Sequence, residues 1–162
     1  MNAHEVSIQE ARTPKAYEMG KVLFEEYARE LQVDLSFQNF EEEMERIQEQ
    51  YGKPSGCLYI VFGEKEEPVG CFGIRKWDGK VCELKRMYIH TRYRGYGLGK
   101  RLLKKSIVVG RQLGYQTMRL DTLPTMNSAI SLYKSVGFYE IDPYRYNPIE
   151  GTKYFERQLT EP

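Results

Sequence analysis

Hydrophobic and polar positions along this chain change period repeatedly, and each change marks an element. Val6 to Gln9 reads as a first strand. Thr13-Pro14 supplies a cap and a proline at the first helical position, and Ala16, Met19, Leu23 and Tyr27 then recur at helical spacing up to about Leu31. Phe37, Phe40, Met44, Ile47 and Tyr51 predict a second amphipathic helix, closed by Gly52. Leu58 to Phe62, Val69 to Ile74 and Val81 to Ile89 predict three strands, joined by turns at Gly63 to Glu67 and Asp78-Gly79. Leu98, Leu102, Ile107, Val109 and Leu113 make the buried side of a third helix. Met118 to Asp121 follows as a strand, and Asn127 to Val136 as a short helix ended by Gly137. Phe138 to Ile141 and Lys153 to Gln158 are late strands. No repeat, linker or low-complexity stretch interrupts the pattern, so residues 1–162 are expected to form one α/β domain.

Composition narrows the class. A chain of 162 residues can bury a core. No apolar run approaches the ~20 residues of a membrane span. Met1 to Glu10 lacks a basic-then-apolar leader, so a cytoplasmic location is expected. Cys57, Cys71 and Cys82 lie in strand-like context without ligand spacing and read as buried thiols. With only His4 and His90 available, no metal is expected, and His90 reads as a polar strand end. The net charge of +1 hides an asymmetry: residues 1–50 hold twelve acids against five bases, residues 84–120 ten bases and no acid. The acids are taken, for the most part, as solvated helix faces; the basic stretch suits a polyanion.

Arg94-Gly95-Tyr96-Gly97-Leu98-Gly99 stands between a predicted strand and a helix whose first turns carry Lys100, Arg101, Lys104 and Lys105. Glycine lets an anion approach the main chain, and a helix start adds unpaired amides and a positive dipole end. Cations there are the wrong sign for the dipole unless an anion joins them. The spacing is G-x-G-x-G, not the dinucleotide G-x-G-x-x-G, and Gly99-Lys100 is followed by Arg101 where a P-loop needs Ser or Thr. Two readings remain, a pyrophosphate cradle and a turn that only reverses the chain.

Glu83 through Ile89, the glycine stretch, and Asn127 through Ala129 to Leu132-Tyr133 and Gly137-Phe138 together resemble the GNAT family of N-acetyltransferases. Arg94, Gly97 and Gly99 fit that family's acyl-CoA loop, Gln/Arg-x-x-Gly-x-Gly/Ala, without a gap. In its second signature Leu132, Tyr133, Gly137 and Phe138 fall in place, while Asn127 and Ala129 stand two apart rather than three. The resemblance implies a mixed, mostly antiparallel central sheet of six to seven strands flanked by about four helices. It implies a V-shaped splay between strands 4 and 5 that takes the pantetheine arm of acetyl-CoA. Backbone groups of Met87, Tyr88 and Ile89 would hold that arm. Amides of Arg94, Gly95, Tyr96, Gly97, Leu98, Gly99 and Lys100 would hold the pyrophosphate. Asn127 would reach the cofactor arm, or cap its own helix.

Acetyl transfer needs a neutral amine, yet an alkyl amine with a pKa near ~10.4 is mostly protonated at neutral pH. A base must take that proton, and a general acid helps the thiolate leave. Glu83 is the candidate base, its alternative a strand carboxylate paired with Lys85 or Arg86. Tyr133 is the candidate acid, its alternative a packed aromatic. Cys82 has no nearby histidine and, adjacent on the strand, faces the other way, so direct transfer is expected. Arg86 could fork onto a substrate carboxylate, unless a bulge in its strand scrambles the facing. Tyr144 to Pro148, with Tyr146, and Leu31 to Gln38 could wall the acceptor pocket. The expected partners are acetyl-CoA and an amine of a small molecule or peptide, with no nucleic acid and no membrane, in a monomer or homodimer. The competing classes are a non-catalytic acyl-CoA-binding sensor and a nucleic-acid-binding module that uses the basic stretch.

Overall fold

The computed structural model describes residues 5–32, 34–36 and 39–160; Phe37 and His4, named above, lie outside them, as do parts of the Leu31 to Gln38 segment. Strands β1 (Ser7–Glu10), β2 (Cys57–Phe62), β3 (Pro68–Asp78), β4 (Val81–Ile89), β5 (Thr117–Thr122), β6 (Tyr139–Ile141) and β7 (Lys153–Gln158) form a sheet in the order β1-β2-β3-β4-β5-β7-β6. The helices are α1 (Pro14–Leu31), α2 (Phe40–Glu45), α3 (Ile47–Gln50), α4 (Leu98–Gln112) and α5 (Asn127–Ser135). This is the mixed, mostly antiparallel sheet expected, with seven strands. The chain divides into two compact units. The first runs up to Arg75 and adds Lys85–Leu98; the second is Lys76–Leu84 and the residues from Gly99 on.

In the first unit, β1 pairs antiparallel with β2 from Ser7↔Phe62 to Glu10↔Tyr59, and β2 with β3 from Cys57↔Ile74 to Phe62↔Pro68. Thr13 Oγ1 accepts the Ala16 amide at 3.1 Å, so the predicted Thr-Pro start of α1 is built as read. The buried stripe of α1 is Tyr17, Gly20, Leu23 and Phe24. Of the face predicted for it, only Leu23 is fully buried; the helix is rotated so that Tyr17 and Phe24 are buried and Tyr27 is half-buried. Phe24 meets Tyr51 edge-on with ring centroids 5.3 Å apart. A Cβ on Gly73 would stand 2.6 Å from the Tyr51 ring, so glycine there lets the ring lie on the sheet.

The second predicted helix is two short ones. Arg46, at φ −112° and ψ 27°, breaks the run between α2 and α3. Apolar spacing is continuous across that break, because the two pieces bury the same stripe: Met44, Ile47 and Tyr51. Gly52 does not adopt the left-handed conformation of a closing glycine.

In the second unit, β4 and β5 run parallel through Val81↔Thr117, Cys82↔Met118 and Glu83↔Arg119. The ladder covers the first three residues of the nine in β4. β5 pairs antiparallel with β7 from Thr117↔Gln158 to Thr122↔Lys153, and β6 lies on the far side of β7. Leu102, Leu103, Met118, Leu120 and Phe155 are fully buried. Asn127 is the first residue of α5 rather than its cap; Met126 holds the cap position without a side-chain capping bond. Gly137 follows at φ 97°, as a helix-ending glycine should. All three cysteines are buried thiols outside any disulfide. Among the described residues no helix is long and apolar enough to cross a membrane.

Candidate active site

The glycine turn has the geometry its sequence suggests. A 3-10 turn, Thr91–Tyr93, precedes it. Gly95 and Gly97 have φ of 88° and 78°, and a Cβ added to either would meet nothing within 4 Å. The turn therefore needs glycine for its backbone angles, and leaves open space where a side chain would stand. α4 begins at Leu98 with no acid in its first turn. Tyr96 is about half exposed. The Arg94 side chain turns back into the first unit, where Nε donates to the Ile89 carbonyl at 2.8 Å and Nη2 lies 2.5 Å from Glu30. In the second unit Lys100, Lys104, Arg111 and Arg157 line an open cleft of about 440 Å³ with Ile107, Val108, Ser135 and Val136. Four cations and no acid make it suited to an anion.

β4 carries the other candidate groups. Cys82 through Arg86 are five consecutive buried residues, a run that simple strand alternation does not produce. Arg86 stands at φ 58°, a left-handed angle inside a strand, and from Met87 to Ile89 the strand is half-buried. The change in facing at Arg86 is the local disruption of a bulge. Arg86, offered above to a substrate carboxylate, has its fork filled from its own chain: Nη2 donates to Glu43 Oε1 at 2.8 Å and Nε to Oε2 at 3.2 Å. Its guanidinium also lies 5.2 Å from the Phe40 ring centroid. Tyr51 donates its hydroxyl to Glu43 at 2.7 Å. Burial pushes the Glu43 carboxyl up, but the charge and hydrogen bonds of Arg86, with the charges of Lys85 and Arg75, outweigh it and hold the group below the ordinary carboxylate range. Glu43 thus departs from the solvated acids around it; its place on the apolar stripe between Phe40 and Met44 was the available signal.

Glu83 is fully buried in the second unit. Its Oε2 accepts the Tyr144 hydroxyl at 2.9 Å and Arg145 Nη2 at 2.5 Å. The sequence offered Lys85 or Arg86 as an ion-pair partner; Arg86 pairs with Glu43 instead, and Arg145, which pairs with Glu83, comes from 62 residues further along the chain. The Tyr144 ring packs edge-on against Trp77 at 5.0 Å and Tyr154 at 5.2 Å. Burial raises the Tyr144 phenol, and the charges of Glu83 and Asp121 raise it further, so it stays a donor at neutral pH. Tyr144 and Arg145, read above as a pocket wall, are direct partners of Glu83. Tyr146 points outward, 81% exposed. Tyr133 is buried on α5, its ring 5.9 Å from Phe138 and 6.2 Å from Phe155.

A family profile described as Acetyltransferase (GNAT) family matches residues 22–138. The chain is 35% identical, over 99% of both lengths, to an uncharacterized N-acetyltransferase of Schizosaccharomyces pombe. Its fold is similar to a GNAT family acetyltransferase from Staphylococcus aureus, with a TM-score of 0.78 at 23% identity, over 96% of this chain and 99% of that one. It is similar too to a GNAT family acetyltransferase from Elizabethkingia anophelis with acetyl-CoA bound, with a TM-score of 0.65 at 20% identity, over 95% and 98%.

Proposed function

Since the chain belongs to the Acetyltransferase (GNAT) family, we propose that it is a cytoplasmic N-acetyltransferase that moves an acetyl group from acetyl-CoA directly to an amine of a small molecule or peptide. The observation that carries the cofactor half of this reading is the turn at Gly95 and Gly97. Both glycines sit at positive φ with nothing where a Cβ would stand, and a base-rich helix follows. A turn free of side chains at its glycines, beside fixed positive charge, fits the pyrophosphate of coenzyme A. Amides from Gly95 to Lys100 would hold it; the Arg94 N–H, expected among them, is donated instead to the Thr91 carbonyl at 3.2 Å. The backbone of the half-buried Met87, Tyr88 and Ile89 would hold the pantetheine arm. When bound, acetyl-CoA supplies the activated acyl group.

This chain's residues handle the protons. Glu83 takes the proton of the incoming ammonium, directly or through water, and so makes the amine a nucleophile. Its burial strengthens its pull on a cation, since charges interact more strongly away from water. Tyr133 gives its phenolic proton to the departing thiolate and regains one from the nitrogen now joined to the acyl carbon, which sheds its second proton as the amide forms. The test is an amine panel with acetyl-CoA, spanning amino acids, polyamines, aminoglycosides and short peptides, read as free thiol and as acetylated product. Thiol release that depends on one amine class supports the proposal. Coenzyme A binding without release by any amine would instead favour an acyl-CoA-binding sensor.

A further inference from the structure

Glu83 holds a cation that belongs to the chain itself. Arg145 comes from the segment between β6 and β7, and its guanidinium meets three surfaces of the second unit. Nη2 lies 2.5 Å from Glu83, and Cζ lies 4.8 Å from the Trp77 ring centroid and 5.4 Å from that of Tyr144. A buried carboxylate joined to two aromatic faces is the chemistry that recognises an organic cation.

The walls and the occupant are built differently. Trp77 stands on β3 and Glu83 on β4. The occupant is tied to the sheet through its loop backbone, by the Tyr154 hydroxyl donating to the Arg145 carbonyl at 3.2 Å. Its neighbour Tyr146 is largely exposed. Arg145 Nε is buried without a hydrogen-bond partner, so the guanidinium fills the site without satisfying all its donors. Tyr144, the second aromatic face, shares the occupant's segment but is fixed by its own hydrogen bond to Glu83, so the three walls can persist while the Arg145 side chain withdraws.

We infer that this is the acceptor's cation site, that Arg145 occupies it in the absence of acceptor, and that the acceptor is a primary alkylamine arriving as its ammonium and displacing the guanidinium. This rests on Glu83 being the group that receives the amine's proton. A neutral arylamine or an alcohol has no charge to exchange for that of Arg145 and is excluded as acceptor. An internal occupant weakens apparent affinity by the fraction of time the site is open, so a loop open one time in ten costs about tenfold.

Trp77 is the only tryptophan, so its fluorescence reads this site alone. The enzyme without acetyl-CoA is titrated with n-butylamine near neutral pH, with n-butanol as the uncharged control. The expected result is a saturable change with the amine and none with the alcohol. Arg145→Gln and Arg145→Ala should bind butylammonium at least about fivefold more tightly, Arg145→Lys should return affinity toward wild type, and Glu83→Gln should abolish the change. Melting curves confirm that each variant is folded, and either truncation suffices. Equal or weaker binding after truncation would make Arg145 a support for Glu83 and overturn the inference, as would no saturable change in the wild type. Because the readout needs no turnover, it can fail while acetyl transfer stands.

Discussion

Arg86 and Glu43 form a two-point ion pair inside the first unit, joining residues 43 apart in sequence, with side chains 5% and 0% exposed. Arg86 is also the left-handed residue of β4. One side chain thus anchors the strand at the position where its facing changes. Breaking a buried pair from one side leaves an uncompensated charge, which costs about 3–5 kcal/mol. Glu43→Ala and Arg86→Ala should each lose that much in denaturant unfolding. Glu43→Leu combined with Arg86→Met should recover part of the loss, since Tyr51 and Arg75 keep polar atoms at the site.

The same pair sets an acid limit. The Glu43 carboxyl is lower in the folded protein than its unfolded value near ~4.3. Its stabilisation is therefore fully present above that value and is lost as pH falls through the folded one. Wild type and Glu43→Gln should differ most in melting temperature at neutral pH, and the gap should close on acidification below about pH 4. A gap that widens in acid would mean that burial, not Arg86, dominates this group.

With its fork filled, Arg86 should not select substrates by their carboxylates. Arg86→Lys should lower stability yet leave unchanged the ratio of rates on an amino acid and on its decarboxylated amine. A ratio that collapses in the variant would return Arg86 to the substrate.

Gly97 has a φ of 78° and open space where a Cβ would lie. Gly97→Val should cost about 1–2 kcal/mol from backbone strain alone. It should also remove the melting-temperature rise that coenzyme A gives the wild type, a rise worth about 2.7 kcal/mol at a hundred times its dissociation constant. If the variant is strained yet shows the full ligand shift, the turn is not the phosphate site.

Elements whose signal is local were legible in the sequence. β4 and β7 have the limits read for them, and Thr13-Pro14 marked the start of α1. Features set by distant parts of the chain were not. Nothing near Arg86 announces a left-handed residue, because the carboxylate that it meets comes from another element. The break at Arg46 is invisible because both short helices continue one apolar stripe. Glu83 was readable as a candidate, but its partners lie 61 and 62 residues away. Their aromatic, polar composition signalled a site without saying which residue they touch.

Tyr133→Phe keeps a ring packed on Phe138 and Phe155. It should change stability by no more than about 1 kcal/mol, the worth of one hydrogen bond. Turnover should fall about 10²–10⁴-fold if the phenol is the acid. Near-wild-type turnover, with chemistry rate-limiting, would leave the residue a packed aromatic and give the proton to water.

The most direct test of the central claim compares wild type with Glu83→Gln at saturating acetyl-CoA, using the best amine of the panel, from neutral pH to about pH 10. Melting curves first confirm that the variant, which leaves Arg145 without its carboxylate, is folded. The account predicts product formation about 10²–10⁴-fold slower at neutral pH, with partial recovery as the amine loses its own proton near ~10.4. Turnover within threefold of wild type at neutral pH, or a deficit that does not narrow as pH rises, would contradict it.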